Sequence, residues 1–187
     1  MNEDVELIIE ETRDRMQKAA DHLEHELARL RAGRANPVLL EGITVVYYGV
    51  NSPLSQVSNI NTPDPKTILI QPWERSMLGA IEKAILAANI GLTPVNNGEV
   101  IRINIPPLTE ERRHQLVKQG KNEGETARIS IRNARKWAND ELKSLLKSGL
   151  PEDTEKTASE TVQKITSEFN ATIDRIVAQK EKDVMTV

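Results

Sequence analysis

From Glu3 to about Arg31, apolar or small side chains recur three or four residues apart at Val5, Ile8, Thr12, Met16, Ala19, Leu23, Leu27 and Leu30, with charged residues between them. This is the period of an α-helix with one face turned to a core, and it predicts a long rod. The rhythm returns over 109–148 on Leu116, Gly120, Ala127, Ile131, Ala134, Ala138, Leu142 and Leu145. A third stretch keeps it almost to the end of the chain on Ala158, Val162, Ile165, Phe169, Ile173, Ile176, Lys180 and Val184. The second rod has marked ends. Pro106 and Pro107 forbid continuation upstream, Thr109 can cap, and Glu110 and Glu111 sit where the helix dipole favours anions. Lys143 and Lys147 occupy the last turns, Gly149 can take the left-handed closing conformation, and Pro151 follows. At 1.5 Å per residue this rod is about 55–60 Å long.

Between the first and second rods the period changes. GITVVYYG (42–49) is β-branched and aromatic, 54–61 is a weaker strand region, and KTILIQ (66–71) is a strong apolar strand. Pro63-Asp64-Pro65 marks a turn between the last two. Residues 76–89 read as a helix with Leu78, Ile81, Ile85 and Ala88 on one face, closed by Gly91. Asn97-Gly98 supplies a hairpin turn between 92–95 and 99–105, where Ile101, Ile103 and Ile105 alternate with Arg102 and Asn104.

The short connection 149–151 makes the second and third rods antiparallel neighbours. Two one-sided helices cannot cover both apolar stripes, and the first rod is the element able to complete the core. The predicted class is therefore α+β: an elongated three-helix bundle from residues 1–32 and 106–187, with a small β/α/β domain, 33–105, inserted into it. The two tethers would lie together at one end of the bundle, giving an L-shaped outline. Gly33 with Arg34 in one tether, and Pro106 with Pro107 in the other, are the candidate hinge. A lobe packed rigidly on the bundle, with Gly33 only ending the helix, fits the pattern equally well.

Composition narrows the chemistry. The absence of cysteine excludes disulfides, thiol nucleophiles and zinc–thiolate sites. Phe, Trp and Tyr make up 3% of the chain, so aliphatic side chains must supply most of the core. No apolar run reaches membrane-spanning length and the acidic, amphipathic start is unlike a targeting segment, so a cytoplasmic protein with no membrane partner is expected. His22 and His25 share a helix face, but no third ligand accompanies them and they are assigned no chemistry. No nucleophile set, metal site or phosphate-cradling loop is recognisable, so neither a catalytic activity nor a cofactor is expected.

Charge sets the second rod apart. Between residues 112 and 136 eight Lys or Arg face Glu123 and Glu125, a balance of plus six in a chain of net charge −3, so the remainder carries −9. Arg128, Arg132 and Arg135, four and three apart, form a stripe. A solvated helix face would account for the run. A polyanion partner accounts for it equally well, on the choice of Arg where Lys would solvate as readily and on the lack of acidic residues at the preceding fourth positions apart from the neighbouring Glu123 and Glu125. A coiled-coil scaffold would explain the rods but leave the stripe and the inserted domain without purpose.

Several motifs taken together closely resemble the bacterial and organellar ribosome recycling factor family. They are Leu30-Arg-Ala-Gly-Arg-Ala-Asn-Pro37 with Leu39-Leu40, Tyr47-Tyr48-Gly49, Arg75-Ser-Met77, Glu82-Lys-Ala-Ile85, Pro106-Pro-Leu-Thr-Glu-Glu-Arg-Arg113 and Ala127-Arg-Ile-Ser-Ile-Arg-Asn133. The likeness runs in order over essentially the whole chain. It implies a transfer-RNA-like outline and a role after translation termination: binding the post-termination ribosome chiefly through the bundle and, with elongation factor G and GTP hydrolysis, splitting its subunits. By the resemblance Arg128 and Arg132 meet large-subunit ribosomal RNA, and Arg31 and Arg112 are basic positions near the bundle tip. Arg135 and Arg29 join this set from the stripe and the helix end. The expected partners are the ribosome and elongation factor G, with the chain a monomer in solution.

Overall fold

The structure is a computed structural model that describes residues 2–30 and 33–186. Among these the order of elements is α1 (Glu3–Arg29), β1 (Thr44–Tyr47), β2 (Val50–Pro53), α2 (Leu54–Val57), β3 (Ser58–Asp64), β4 (Thr67–Pro72), α3 (Leu78–Ala87), β5 (Pro94–Asn96), β6 (Ile101–Asn104), α4 (Glu110–Lys147) and α5 (Glu152–Met185). The class is α+β, and the chain packs as two compact units. One holds Met1–Leu27 with His114–Val187, the other Ala28–Arg113. Packing thus groups the last residues of α1 and the first turn of α4 with the lobe, whereas the sequence pattern drew its lines at 32/33 and 105/106.

The helical unit is built on the predicted period. Val5, Ile8, Met16, Leu23 and Leu27 of α1 are buried with Leu116, Ile131 and Leu142 of α4 and Val162, Ile165, Ile173 and Val184 of α5. Each such side chain contributes about 1.5–3 kcal/mol through burial. One cluster, Val5, Ile8, Ala138, Leu142, Leu150, Ala158 and Val162, draws on all three rods and shows that they share one core. Two hydroxyls fall within this core. Thr12 donates to the Ile8 carbonyl at 2.6 Å and Thr166 to the Val162 carbonyl at 2.8 Å, so neither is buried unpaired. The apolar stripe of α1 runs through Ala20, where the pattern pointed to Ala19, and Phe169, Ile176 and Lys180 of α5 are only half-buried.

α4 starts and stops as its sequence dictates. Thr109 Oγ accepts from the backbone N–H of Arg112 at 3.1 Å, capping the first turn. At the far end Gly149 takes φ +107° and donates to the Leu146 carbonyl, while Leu150 donates to the Leu145 carbonyl. That pair of bonds is the Schellman closure, and Leu150 packs into the core behind it.

In the lobe, β3-β4-β6-β5 form an antiparallel sheet and β1-β2 a separate hairpin. Ile68 faces Ile103 and Ile70 faces Ile101 across β4 and β6, all four fully buried. Leu78, Ile81 and Ile85 of α3 join them in the lobe core. Two details correct the sequence expectation. Leu54–Val57 is a turn of helix, because its buried residues Leu54 and Val57 lie three apart, a helical spacing that a strand reading of 54–61 overlooked. Val50–Pro53 is a strand paired with β1 through a turn in which Tyr48 and Gly49 both have positive φ, +48° and +77°. A tyrosine rarely takes that conformation, and so the turn had no signature.

Candidate nucleic-acid interface

The predicted stripe sits on α4, on the edge and outside of its buried face. Gly124, Ala127, Ile131, Ala134 and Ala138 are buried, Arg128 and Arg135 are half-buried beside them, and Arg132 is exposed one step further round. Lys136 and Asn133 are also exposed, so the outward face around Arg132 is polar and cationic, with the single apolar exception of Ile129.

The three arginines are not equivalent. Arg128 Nη1 donates to Glu125 Oε1 at 2.7 Å, and its Nη2 donates to Asp174 Oδ1 of α5 at 2.5 Å. The hydrogen bond to Asp174 raises the guanidinium pKa above its usual value, partial burial opposes it, and the nearby charges of Asp174 and Glu125 add to the rise. Glu125, one of the two acidic neighbours excepted from the expected lack of partners, thus does pair with Arg128, and a second carboxylate, 46 residues away in sequence, could not be read from helix spacing. Arg132 and Arg135 have no ion-pair partner among the described residues. A charged fork left unpaired in water retains all five of its N–H donors for an incoming anion.

The remaining predicted residues fall elsewhere. Arg29 ends α1 and Arg112 lies in the first turn of α4; both are exposed and both belong to the lobe unit by packing, whereas Arg128, Arg132 and Arg135 belong to the helical unit. Arg31 lies outside the described residues. Of the proposed hinge, Gly33 takes φ +75°, which L side chains rarely adopt, and a Cβ there would stand 3.4 Å from Leu108 Cγ. The two tethers are thus neighbours. They are also pinned to the same turn: Ala35 N–H donates to the Pro65 carbonyl and Ile105 N–H to the Lys66 carbonyl, each at 2.7 Å. Arg34, Pro106 and Pro107 are exposed beside them.

Asp174 and Gly124 are residues near the stripe that sequence reasoning did not assign to it, and Glu125 it noted only as an acidic neighbour. Glu125 was accessible, three positions before Arg128. Gly124 was accessible only as a helical glycine without an evident purpose. Among the described residues no helix is long and apolar enough to cross a membrane, and no group of three His, Asp or Glu could hold a metal ion.

Comparison with known proteins gives this geometry a family. The family model described as ribosome recycling factor matches residues 23–185. The ribosome-recycling factor of Flavobacterium johnsoniae is 52% identical over 187 residues, covering 100% of both chains. A solution structure of the ribosome recycling factor superposes with a TM-score of 0.80 at 39% identity, with 100% of both chains covered. The T. thermophilus factor, from models of it and the E. coli elongation factor G bound to the E. coli post-termination complex, gives a TM-score of 0.67 at 46% identity, over 97% of this chain and 99% of that one. With a family match over most of its length and relatives at half identity from end to end, the chain belongs to the ribosome recycling factor family.

Proposed function

We propose that this chain binds the post-termination ribosome through the arginine row of α4 and, with elongation factor G and GTP hydrolysis by that factor, splits the ribosome into subunits. Arg132 is the central contact, flanked by Arg128 and Arg135, and it meets phosphates of large-subunit ribosomal RNA. Arg29, Arg31 and Arg112 add basic contacts from the helix ends. The chain itself performs no chemistry, acts as a monomer in the cytoplasm and needs no cofactor. Gly33, Arg34, Pro106 and Pro107 form the tether along which the lobe moves during splitting.

The observation that carries this is Arg132, exposed and without an ion-pair partner among the described residues, on a cationic helix face in a protein of this family. Its planar fork binds two phosphate oxygens at once and is weakly hydrated, which suits a structured RNA whose base edges are hidden. A neighbour belongs to models that also hold elongation factor G and a post-termination complex, which supports the choice of partners.

The test is subunit splitting of purified post-termination ribosomes, followed by light scattering. Splitting is expected only when this protein, elongation factor G and GTP are all present, and the pure protein should turn over no GTP. Splitting without elongation factor G, or none with all components present, would contradict the proposal.

A further inference from the structure

Arg128 differs from Arg132 in being held from two sides by carboxylates on two helices. Its side chain is 29% exposed, whereas those of Glu125 and Asp174 are 67% and 66% exposed. Gly124, one turn before Arg128, opens the slot in which the guanidinium lies. A Cβ at Gly124 would stand 3.6 Å from Arg128 Nη1 and 2.6 Å from Cγ2 of Val177, which is three residues beyond Asp174 on α5. The glycine therefore lets α5 close in, and the closure brings the Asp174 carboxylate onto the guanidinium. Two of the five N–H donors are committed to Glu125 and Asp174. Three are left, on a group that still reaches the surface.

Two opposed effects follow for a phosphate arriving at Arg128. A carboxylate roughly 7 Å from that phosphate repels it, and at physiological salt the screened repulsion weakens binding from about 1.5-fold at the dielectric of water to about fivefold at the effective dielectric of about 20 near a protein surface. Ordering a free, rotamer-rich side chain on binding costs more, about two- to tenfold in affinity, and a side chain already held avoids most of that cost. Pre-ordering therefore exceeds the repulsion where the carboxylate stays open to water, as Asp174 does at 66% exposure.

We propose, resting on the ribosomal-RNA reading above, that Asp174 is a positioning residue: from α5 it holds the Arg128 guanidinium with its remaining N–H donors available to an RNA phosphate. Glu125 is the second support and Gly124 provides the slot. The effect is opposite in sign to simple electrostatics, since removing a negative charge beside a cationic row should otherwise strengthen binding to a polyanion.

The experiment compares the unaltered chain with Asp174→Asn, Arg128→Ala, the double variant, and Arg132→Ala, measuring ribosome Kd across a salt series and a melting curve for each. Asp174→Asn should weaken binding about threefold with an unaltered Tm, and should cost nothing further when Arg128 is already alanine. Unchanged or tighter binding by Asp174→Asn would show that Asp174 merely competes with phosphate. Equal weakening with and without Arg128 would show that it acts on the bundle generally. Either overturns the proposal. Arg132→Ala separates the two levels: if it weakens binding while Asp174→Asn does not, only the positioning role falls, and if it leaves affinity and salt dependence unaltered, the RNA-binding reading fails and takes the positioning role with it.

Discussion

In the helical unit the fully buried side chains Met16, Leu23, Leu116, Ile131 and Leu142 are strung along rods, each set by the helical period of its own segment. In the lobe the corresponding residues, Ile68, Ile70, Ile101 and Ile103, meet across strands more than thirty residues apart. The surfaces differ as well. The α4 face turns Arg132 and Lys136 to solvent, whereas the lobe exposes Val46, Tyr48, Val50, Trp73 and Val95, and over residues 42–105 its four Lys or Arg balance four Asp or Glu. Local periodicity thus built the unit that carries the arginine row, and non-local pairing built the one that exposes a cluster of large apolar side chains. The proposed attraction to a polyanion then centres on the arginine row of α4, with Arg29 and Arg112 adding to it from helix ends that pack with the lobe.

The largest expected effects break the two cores separately. Leu142→Ala in the bundle and Ile70→Ala in the lobe should each cost about 2–5 kcal/mol, because both side chains are fully buried. Hydrogen exchange should localise the damage, with faster exchange in α1, α4 and α5 for the first and in β3, β4 and β6 for the second. Uniform acceleration through both units by either variant would mean that they unfold as one.

A smaller effect has opposite signs in the two units. Gly124→Ala places a Cβ 2.6 Å from Val177 Cγ2, a branched side chain with little freedom to yield, and should destabilise by about 1–3 kcal/mol despite the better helix propensity of alanine. Gly79→Ala, in α3, meets nothing within 4 Å and should stabilise by about 0.5–1 kcal/mol. Melting curves for the pair check the contrast. A gain at Gly124 would mean that α4 and α5 do not depend on close approach there.

This contrast also shows what the sequence could and could not reveal. The rods, their caps at Thr109 and Gly149, and the β4–β6 alternation were legible because each is set within a few residues. The β1–β2 hairpin was not, since Tyr48 holds a position where glycine or asparagine would have announced the turn. Tyr47 and Tyr48 both donate to Glu74 Oε1, at 3.1 and 3.0 Å, contacts that the spacing of 26 and 27 residues conceals. In the candidate site the row itself was legible and its internal inequality was not. Arg128 and Arg132 look alike on a helical wheel, and only the approach of α5 gives one of them Asp174.

The smallest stability effect concerns acid. Asp64 accepts from the Lys66 backbone N–H at 2.8 Å, and chiefly this bond lowers its carboxyl pKa below 3.8. A depressed folded-state pKa contributes stability above the unfolded value that is lost as pH falls through the folded one. Asp64→Asn keeps an acceptor and removes the titration, so the fall in Tm below about pH 4 should become slightly shallower. An unchanged acid limb would place the acid sensitivity in other carboxylates.

The central claim, that Arg132 meets an RNA phosphate, is tested most directly by ribosome affinity across a salt series for Arg132→Ala, with a melting curve beside it. Tm should be nearly unaltered, since an exposed arginine without an ion-pair partner among the described residues contributes little to folding. Affinity should fall about tenfold or more, the usual worth of a lost charge-assisted hydrogen bond. The salt dependence should become less steep, because one phosphate contact fewer releases fewer counterions. Arg132→Lys should restore the slope but only part of the affinity, as the paired geometry is lost. A large drop in Tm together with an unaltered salt slope would make Arg132 a structural residue and contradict the account.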